Sequence, residues 1–231
     1  KQAGIDMTFA TGQMTLPEAE LYIVPCLTGW SVMELETQEA LFRQVRAGAM
    51  AYLSYNGGQF TRFEEFTGLR SGGIVTSRRS HRAATACGEY AYYVNQEILA
   101  EPTDAEVVLR NEEGNVLLSR HRYGKGTVWF LNAPMEQQLA GSYGAFSNPV
   151  YAGIYRTVFA EALAKKPVTS DNFAVAVSLH RGGIVSALNY TDREQECAFR
   201  LAPGKRLIPL SGSAERLPKC SAAFYRLENQ A

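Results

Sequence analysis

Apolar positions recur along the chain in two rhythms, and the change from one to the other divides it. Residues 21–25 (Leu-Tyr-Ile-Val-Pro) form a nearly continuous apolar run, the pattern of a strand buried on both faces of a parallel sheet. Residues 32–47 carry Leu35, Leu41, Phe42 and Val45 at helical spacing, with charged residues between them and Gly48 as a stop, which predicts an amphipathic helix. Residues 49–55 read as a further strand ending at Asn56-Gly57-Gly58, and residues 5–10 alternate as a short strand before all of these. Strand, strand, helix, strand with short links is the order of a doubly wound, flavodoxin-like α/β sheet. The opening Lys1-Gln2-Ala3-Gly4 reads as the last turn of a helix, with Gly4 at its left-handed end. The expectation is therefore a chain that starts after its first strand and helix.

The middle is less regular. Residues 60–68 predict a short helix, and residues 69–89, rich in Arg, Ser and Gly, predict a polar loop. Residues 105–110 and 116–122 predict a hairpin through Asn111-Glu112-Glu113-Gly114-Asn115. Tyr123-Gly124-Lys125-Gly126 then turns into a strand over 127–132. Residues 149–165 predict a helix with Val150, Ile154, Val158 and Leu163 on its apolar side, capped by Ser147 or Asn148 and stopped by Pro167. Beyond Asp171 the helical period disappears. Short strands at 174–179, 184–190, 196–201, 207–210 and 222–227, with His180-Arg181-Gly182-Gly183 as one of the turns, predict a small all-β sandwich. The division is thus an α/β domain over 1–166 and a β-sandwich over 167–231.

Composition narrows the class. The 231 residues carry 23 basic and 23 acidic side chains, a balance that argues against nucleic acid as partner. Hydrophobic residues make up 46%, with 12 Tyr, 11 Phe and 2 Trp, enough for a packed core. No run approaches the roughly 18 apolar residues of a membrane span, and no apolar leader follows Lys1, so the expected location is cytoplasmic. Cys26, Cys87, Cys197 and Cys220 are scattered without a C-x-x-C pair. That spacing excludes a zinc-finger type of metal site; one or two disulfides stay open, and reduced thiols are the reading preferred in a cytoplasmic protein.

Candidate chemistry is sparse. Gly124-Lys125 joins two strands rather than opening a helix and lacks phosphate-loop spacing, and Asn56-Gly57-Gly58 has no third glycine. His121 and His180 fall in a hairpin strand and a turn, whereas His81 sits in the basic run Arg78-Arg79-Ser80-His81-Arg82, upstream of Cys87. That run reads as a solvated loop, with a Cys–His pair or an anion site as its sharper alternatives. Cys26, near the end of a strand taken as central, is the other candidate nucleophile of a small hydrolase. The glutamate pairs 34/36, 64/65 and 112/113 read as exposed charge. Trp30, Tyr55 and Trp129 are the candidate stacking platforms for a carbohydrate-binding module, with Trp129 assigned to the core.

Taken in order, residues 19–25, Val45-Arg46-Ala47-Gly48, Phe66-Thr67-Gly68-Leu69, residues 123–132, Asn148-Pro149-Val150-Tyr151 and residues 183–190 resemble the C-terminal half of multidomain glycoside hydrolases, especially family 42 β-galactosidases. The resemblance spans nearly the whole chain. It implies a class I glutamine amidotransferase-like domain of the trimerisation type, followed by a β-sandwich, in a protein whose catalytic glutamates lie on a separate barrel. No catalytic residue is therefore carried over to this sequence. Tyr55 stands roughly where an amidotransferase would place its thiol, and no His-x-Glu follows. The resemblance implies no cofactor and no metal, a homo-oligomer (a trimer), and the barrel of the same protein as partner. Trp30, Tyr55 and Asn56 are the residues expected to reach carbohydrate, with residues 56–66 as a loop that helps shape a substrate cleft.

Overall fold

A computed structural model describes residues 4–11, 14–28, 33–58, 61–142, 148–211 and 215–230. They form two compact units, Phe9–Val150 and Lys1–Thr8 with Tyr151–Ala231. The break falls earlier than the boundary read near Lys166. The architecture is mixed α/β with several sheets. No helix among the described residues is long and apolar enough to cross a membrane.

In the first unit, β1 (Leu21–Thr28), α1 (Leu35–Ala47) and β2 (Met50–Asn56) make one strand–helix–strand unit. α2 (Phe63–Thr67), β3 (Leu69–Thr85) and β4 (Gly88–Pro102) follow. Then come β5 (Glu106–Arg110), β6 (Val116–Tyr123), β7 (Gly126–Leu131) and α3 (Met135–Gly141). The main sheet has the order β1-β2-β7-β6-β5. Its first three strands are parallel and the remaining pairings antiparallel. The sheet is thus mixed, and only its first crossover has the doubly wound pattern.

Residues 5–10 are not a strand. Met7 and Phe9, two of the apolar positions in that alternation, are 48% and 91% exposed, and among the described residues no neighbouring strand takes them up. β1 is likewise an edge strand rather than a central one, consistent with Pro25, which has no N–H for a second neighbour.

α1 forms as its spacing predicts. Leu41, Phe42 and Val45 are buried, although Leu35 stays largely exposed, and Gly48 ends the helix at φ 133°, returning its N–H to Val45. That helix packs on Ala51, Leu53, Tyr55, Val128 and Phe130 of the sheet and on Phe66 of α2. Each fully buried Leu, Val or Phe among them contributes about 1.5–3 kcal/mol. The glycines of the 123–126 turn have a steric reason. A Cβ on Gly126 would lie 2.1 Å from the Ala49 carbonyl oxygen, and one on Gly124 2.7 Å from that of Arg46. The turn passes under the end of α1, with Lys125 N–H donating to Arg46 (3.0 Å).

The polar stretch at 69–89 is the largest departure from expectation. It is not a loop: β3 and β4 pair as a long antiparallel ribbon, with register shifts between Ser71 and Ile74 and between Thr76 and Arg79. One face of the ribbon is buried through His81, Ala83, Tyr90, Tyr92 and Val94. Side-chain amides finish the outer edge of β4 in place of another strand. Asn132 Nδ2 donates to Ile98 O (2.8 Å), Gln138 Nε2 to Tyr93 O (2.6 Å), and Asn115 Oδ1 accepts from Ala100 N–H (3.1 Å).

α4 (Pro149–Val158) starts with Asn148 accepting the Val150 N–H (3.0 Å), a side-chain cap; Ser147, the other cap candidate, lies outside the described residues. The predicted single helix breaks at Phe159, and α5 (Ala160–Ala164) continues it. β8 (Val168–Ser170), β9 (Val175–Leu179), β10 (Ile184–Asn189) and β11 (Gln195–Glu196) follow. The last strands are β12 (Phe199–Leu201), β13 (Lys205–Ser211), β14 (Arg216–Leu217) and β15 (Ser221–Asn229). β13-β15-β10-β9 form an antiparallel sheet, beside the small pairs β12-β8 and β11-β14. Their common core is Val168, Val175, Val177, Val185, Ala187, Leu217, Ala223 and Tyr225. The N-terminal segment joins this unit: Lys166 Nζ donates to Gly4 O and pairs with Asp6 (3.0 Å).

Candidate functional site

The carboxyl ends of β1 and β2 carry a polar cluster that includes a nucleophilic side chain. Pairing of β1 with β2 slips between Val24 and Leu27, so Pro25 and Cys26 bulge from the ladder and Cys26 takes a left-handed φ of 48°. The bulge points Cys26 N–H at Ser54 Oγ (2.6 Å) and leaves Sγ 3.5 Å from Glu136 Oε2. Strand alternation puts Tyr52 and Ser54 on one face of β2 and Ala51, Leu53 and Tyr55 on the other. The Tyr52 hydroxyl donates to Glu136 Oε1 (2.8 Å) and the Ser54 hydroxyl to Glu136 Oε2. Glu136 and Gln137 come from the first turn of α3; Gln137 N–H approaches Cys26 Sγ (3.3 Å), and Asn56 Nδ2 donates to Gln137 Oε1 (2.8 Å).

This arrangement works against a thiolate. Burial first, and the Glu136 carboxylate second, push the Cys26 thiol above its ordinary value of 9.0. A catalytic cysteine needs the opposite, a positive neighbour or a paired imidazole. The histidines are placed elsewhere: His81 against Glu97 in the ribbon, His121 beside Gly68, and His180 against Ser186 Oγ at 2.8 Å. The cluster ties the strand ends to α3. Its geometry is that of a polar knot, with Glu136 as a shared acceptor.

Of the residues expected to reach carbohydrate, Asn56 is half-buried and engaged by Gln137, and Tyr55 is 0% exposed with its ring 6.3 Å from that of Phe130. Tyr55 offers no ring face to a ligand, because it lies on the helix-covered face of β2. Trp30 lies outside the described residues. Trp129 is in the core, as expected. Cys87 is exposed at the ribbon tip, its N–H held by Thr85 Oγ1 (3.2 Å), while both nitrogens of His81 face carboxylates. They do not form a Cys–His pair.

His81 belongs to a second cluster that the loop reading missed. It is 1% exposed, with Nε2 3.1 Å from Glu97 Oε2 and Nδ1 3.5 Å from Glu112 Oε1. Glu97, also buried, accepts from Asn115 and Asn111 and pairs with Arg79 (3.4 Å). Nor are Glu112 and Glu113 merely solvated charge: Glu112 accepts the Arg82 N–H (2.6 Å) and Glu113 takes the Arg79 guanidinium. Backbone and His81 contacts outweigh burial and draw the Glu112 carboxyl below its usual range, while burial pushes the Tyr92 hydroxyl well up. Among the described residues no three His, Cys, Asp or Glu side chains converge as a metal-binding group.

No family model matches the sequence, and neither does any curated protein sequence. Solved structures do resemble the fold. A cold-adapted β-galactosidase from Rahnella sp. R3 matches with a TM-score of 0.66 at 15% identity, over 97% of this chain and 35% of that one. A β-galactosidase from Bacillus circulans sp. alkalophilus gives 0.64 at 14% identity, over 99% of this chain and 35% of that one. Gan42B, a GH42 β-galactosidase from G. stearothermophilus, gives 0.60 at 17% identity, over 91% and 32%. The chain thus shares its fold with stretches of β-galactosidase chains and spans about a third of their length.

Proposed function

We propose that this chain is a non-catalytic assembly and accessory region of a β-galactosidase-like glycoside hydrolase, and that it associates with copies of itself as a trimer. The observation that carries this reading is the asymmetry of coverage: nearly all of this chain matches the β-galactosidases from Rahnella and Bacillus circulans in fold, but only 35% of each of those chains is matched. Chemistry supports it from a second side. In the cluster at the ends of β1 and β2, burial and then Glu136 raise the Cys26 thiol above its ordinary value, so the geometry favours a structural tie over acyl transfer. In this reading the catalytic carboxylates belong to a barrel in the same protein, and this chain positions that barrel. The non-catalytic half of the proposal is tested by incubating the purified chain with chromogenic esters and β-galactosides. No turnover above buffer is expected. Turnover that disappears in Cys26→Ala contradicts it and restores a thiol hydrolase.

A further inference from the structure

An antiparallel sheet with one face on a core ordinarily turns polar side chains outward. The sheet β13-β15-β10-β9 departs from that pattern. Strand alternation sends Val185, Ala187, Ala223 and Tyr225 into the core and leaves Leu188, Phe224 and Arg226 on the outer face. Leu188 stands opposite Ala222, one diagonal step from Phe224, and both Leu188 and Phe224 are 44% exposed. Arg226, two residues on from Phe224, is exposed between the half-buried Ile184 and Ile208. Contiguous apolar surface of this kind marks a contact site. The unit Phe9–Val150 holds a counterpart: α1 begins with Leu35, 60% exposed, flanked by the exposed Glu34 and Glu36. Among the described residues, none of Arg226, Glu34 and Glu36 takes part in an ion pair. We propose that the Leu188–Phe224–Arg226 surface of one chain docks the start of α1 of a second copy, with Leu35 at its centre. This deepens the assembly reading above and rests on it.

Charge selects the occupant. The neutrality of the whole chain is the sum of two opposite parts. Phe9–Val150 holds 11 basic and 15 acidic side chains, a net charge of −4, whereas Lys1–Thr8 with Tyr151–Ala231 holds 12 and 8, a net charge of +4. Two sheet faces set against each other bring guanidinium groups together, and two helix starts bring glutamates together; both arrangements are repulsive. Sheet face against helix start places Arg226 beside Glu34 and Glu36, and Leu35 over Phe224 and Leu188. Apolar surface then leaves water at the centre while the charges at the rim fix the register. Each chain offers one surface and receives on the other, so the contact is heterologous, and heterologous contacts close into a ring when the rotation permits. Three chains in such a ring are the trimer proposed above.

The test is sedimentation equilibrium of the whole chain and its variants at low salt, where exposed charges are least screened. Arg226→Glu and Glu36→Arg, each at an exposed position, are expected to raise the dissociation constant about tenfold or more with unchanged far-UV circular dichroism. Carrying both changes in one chain restores opposite charges at every junction, and this variant is expected to associate at least about threefold more tightly than either single one. Phe224→Ser keeps every charge and is expected to weaken association about tenfold. Single reversals that leave association unchanged, or a combined variant no tighter than the single ones, overturn this contact and leave the assembly reading standing. A parent chain with a single-chain mass at every concentration overturns both.

Discussion

Glu136 and Glu97 each sit at the centre of a polar cluster in the same unit, but the company they keep differs. Glu136 accepts from neutral donors, the hydroxyls of Tyr52 and Ser54, with the Cys26 thiol beside it. Glu97 is nearly inaccessible and meets a guanidinium, an imidazole and two amides. The first cluster fixes a bulged strand end. The second connects through His81 to Glu112 and so to the surface. The residue types that suggest catalysis in a sequence, a cysteine with a carboxylate and a histidine with carboxylates, therefore differ in setting here: the half-buried cysteine has a carboxylate beside it that opposes the thiolate, and the buried histidine borders a concavity.

Mutation can break this contrast. Glu97→Ala removes the acceptor of a buried charged network, and the expected loss is about 3–5 kcal/mol of stability in urea unfolding followed by tyrosine fluorescence. Ser54→Ala strands the Cys26 N–H and costs about 1–3 kcal/mol in the same experiment. Tyr52→Phe deletes one hydroxyl donor to Glu136 and costs about 0.5–1.5 kcal/mol. Equal losses for Glu97→Ala and Ser54→Ala would erase the distinction between the clusters.

The smallest effect concerns pH. Because the folded state raises the Cys26 value above 9.0, the neutral thiol favours folding. That contribution is intact below the unfolded thiol's value and is lost as pH rises through the folded one. Glu136→Gln removes one of the raising influences, so the pH profile of iodoacetamide labelling at Cys26, read by peptide mass spectrometry, moves to lower pH. A profile that stays in place or moves up contradicts the placement of Glu136 beside the thiol.

The helix α1 and the β6–β7 hairpin were legible because their periods are strong: Leu41, Phe42 and Val45 mark one helical face, and Gly124 and Gly126 mark a turn that no larger residue fits. The ribbon was not, because β3 is rich in Arg, Ser and Gly, with only Leu69, His81 and Ala83 buried among its 17 residues. A signal did exist in β4, where Tyr90, Tyr92 and Val94 recur at a period of two after the Gly88 turn. Pro25 likewise marked β1 as an edge. Glu97 and Glu136 had no local signal, since their roles come from residues far along the chain: Arg79 and Asn115 for one, Cys26 and Ser54 for the other.

Assembly is measured by sedimentation equilibrium of the purified chain over a wide concentration range. A species with the mass of three chains, dissociating only on dilution, is the predicted result. A single-chain mass at every concentration would contradict the assembly role.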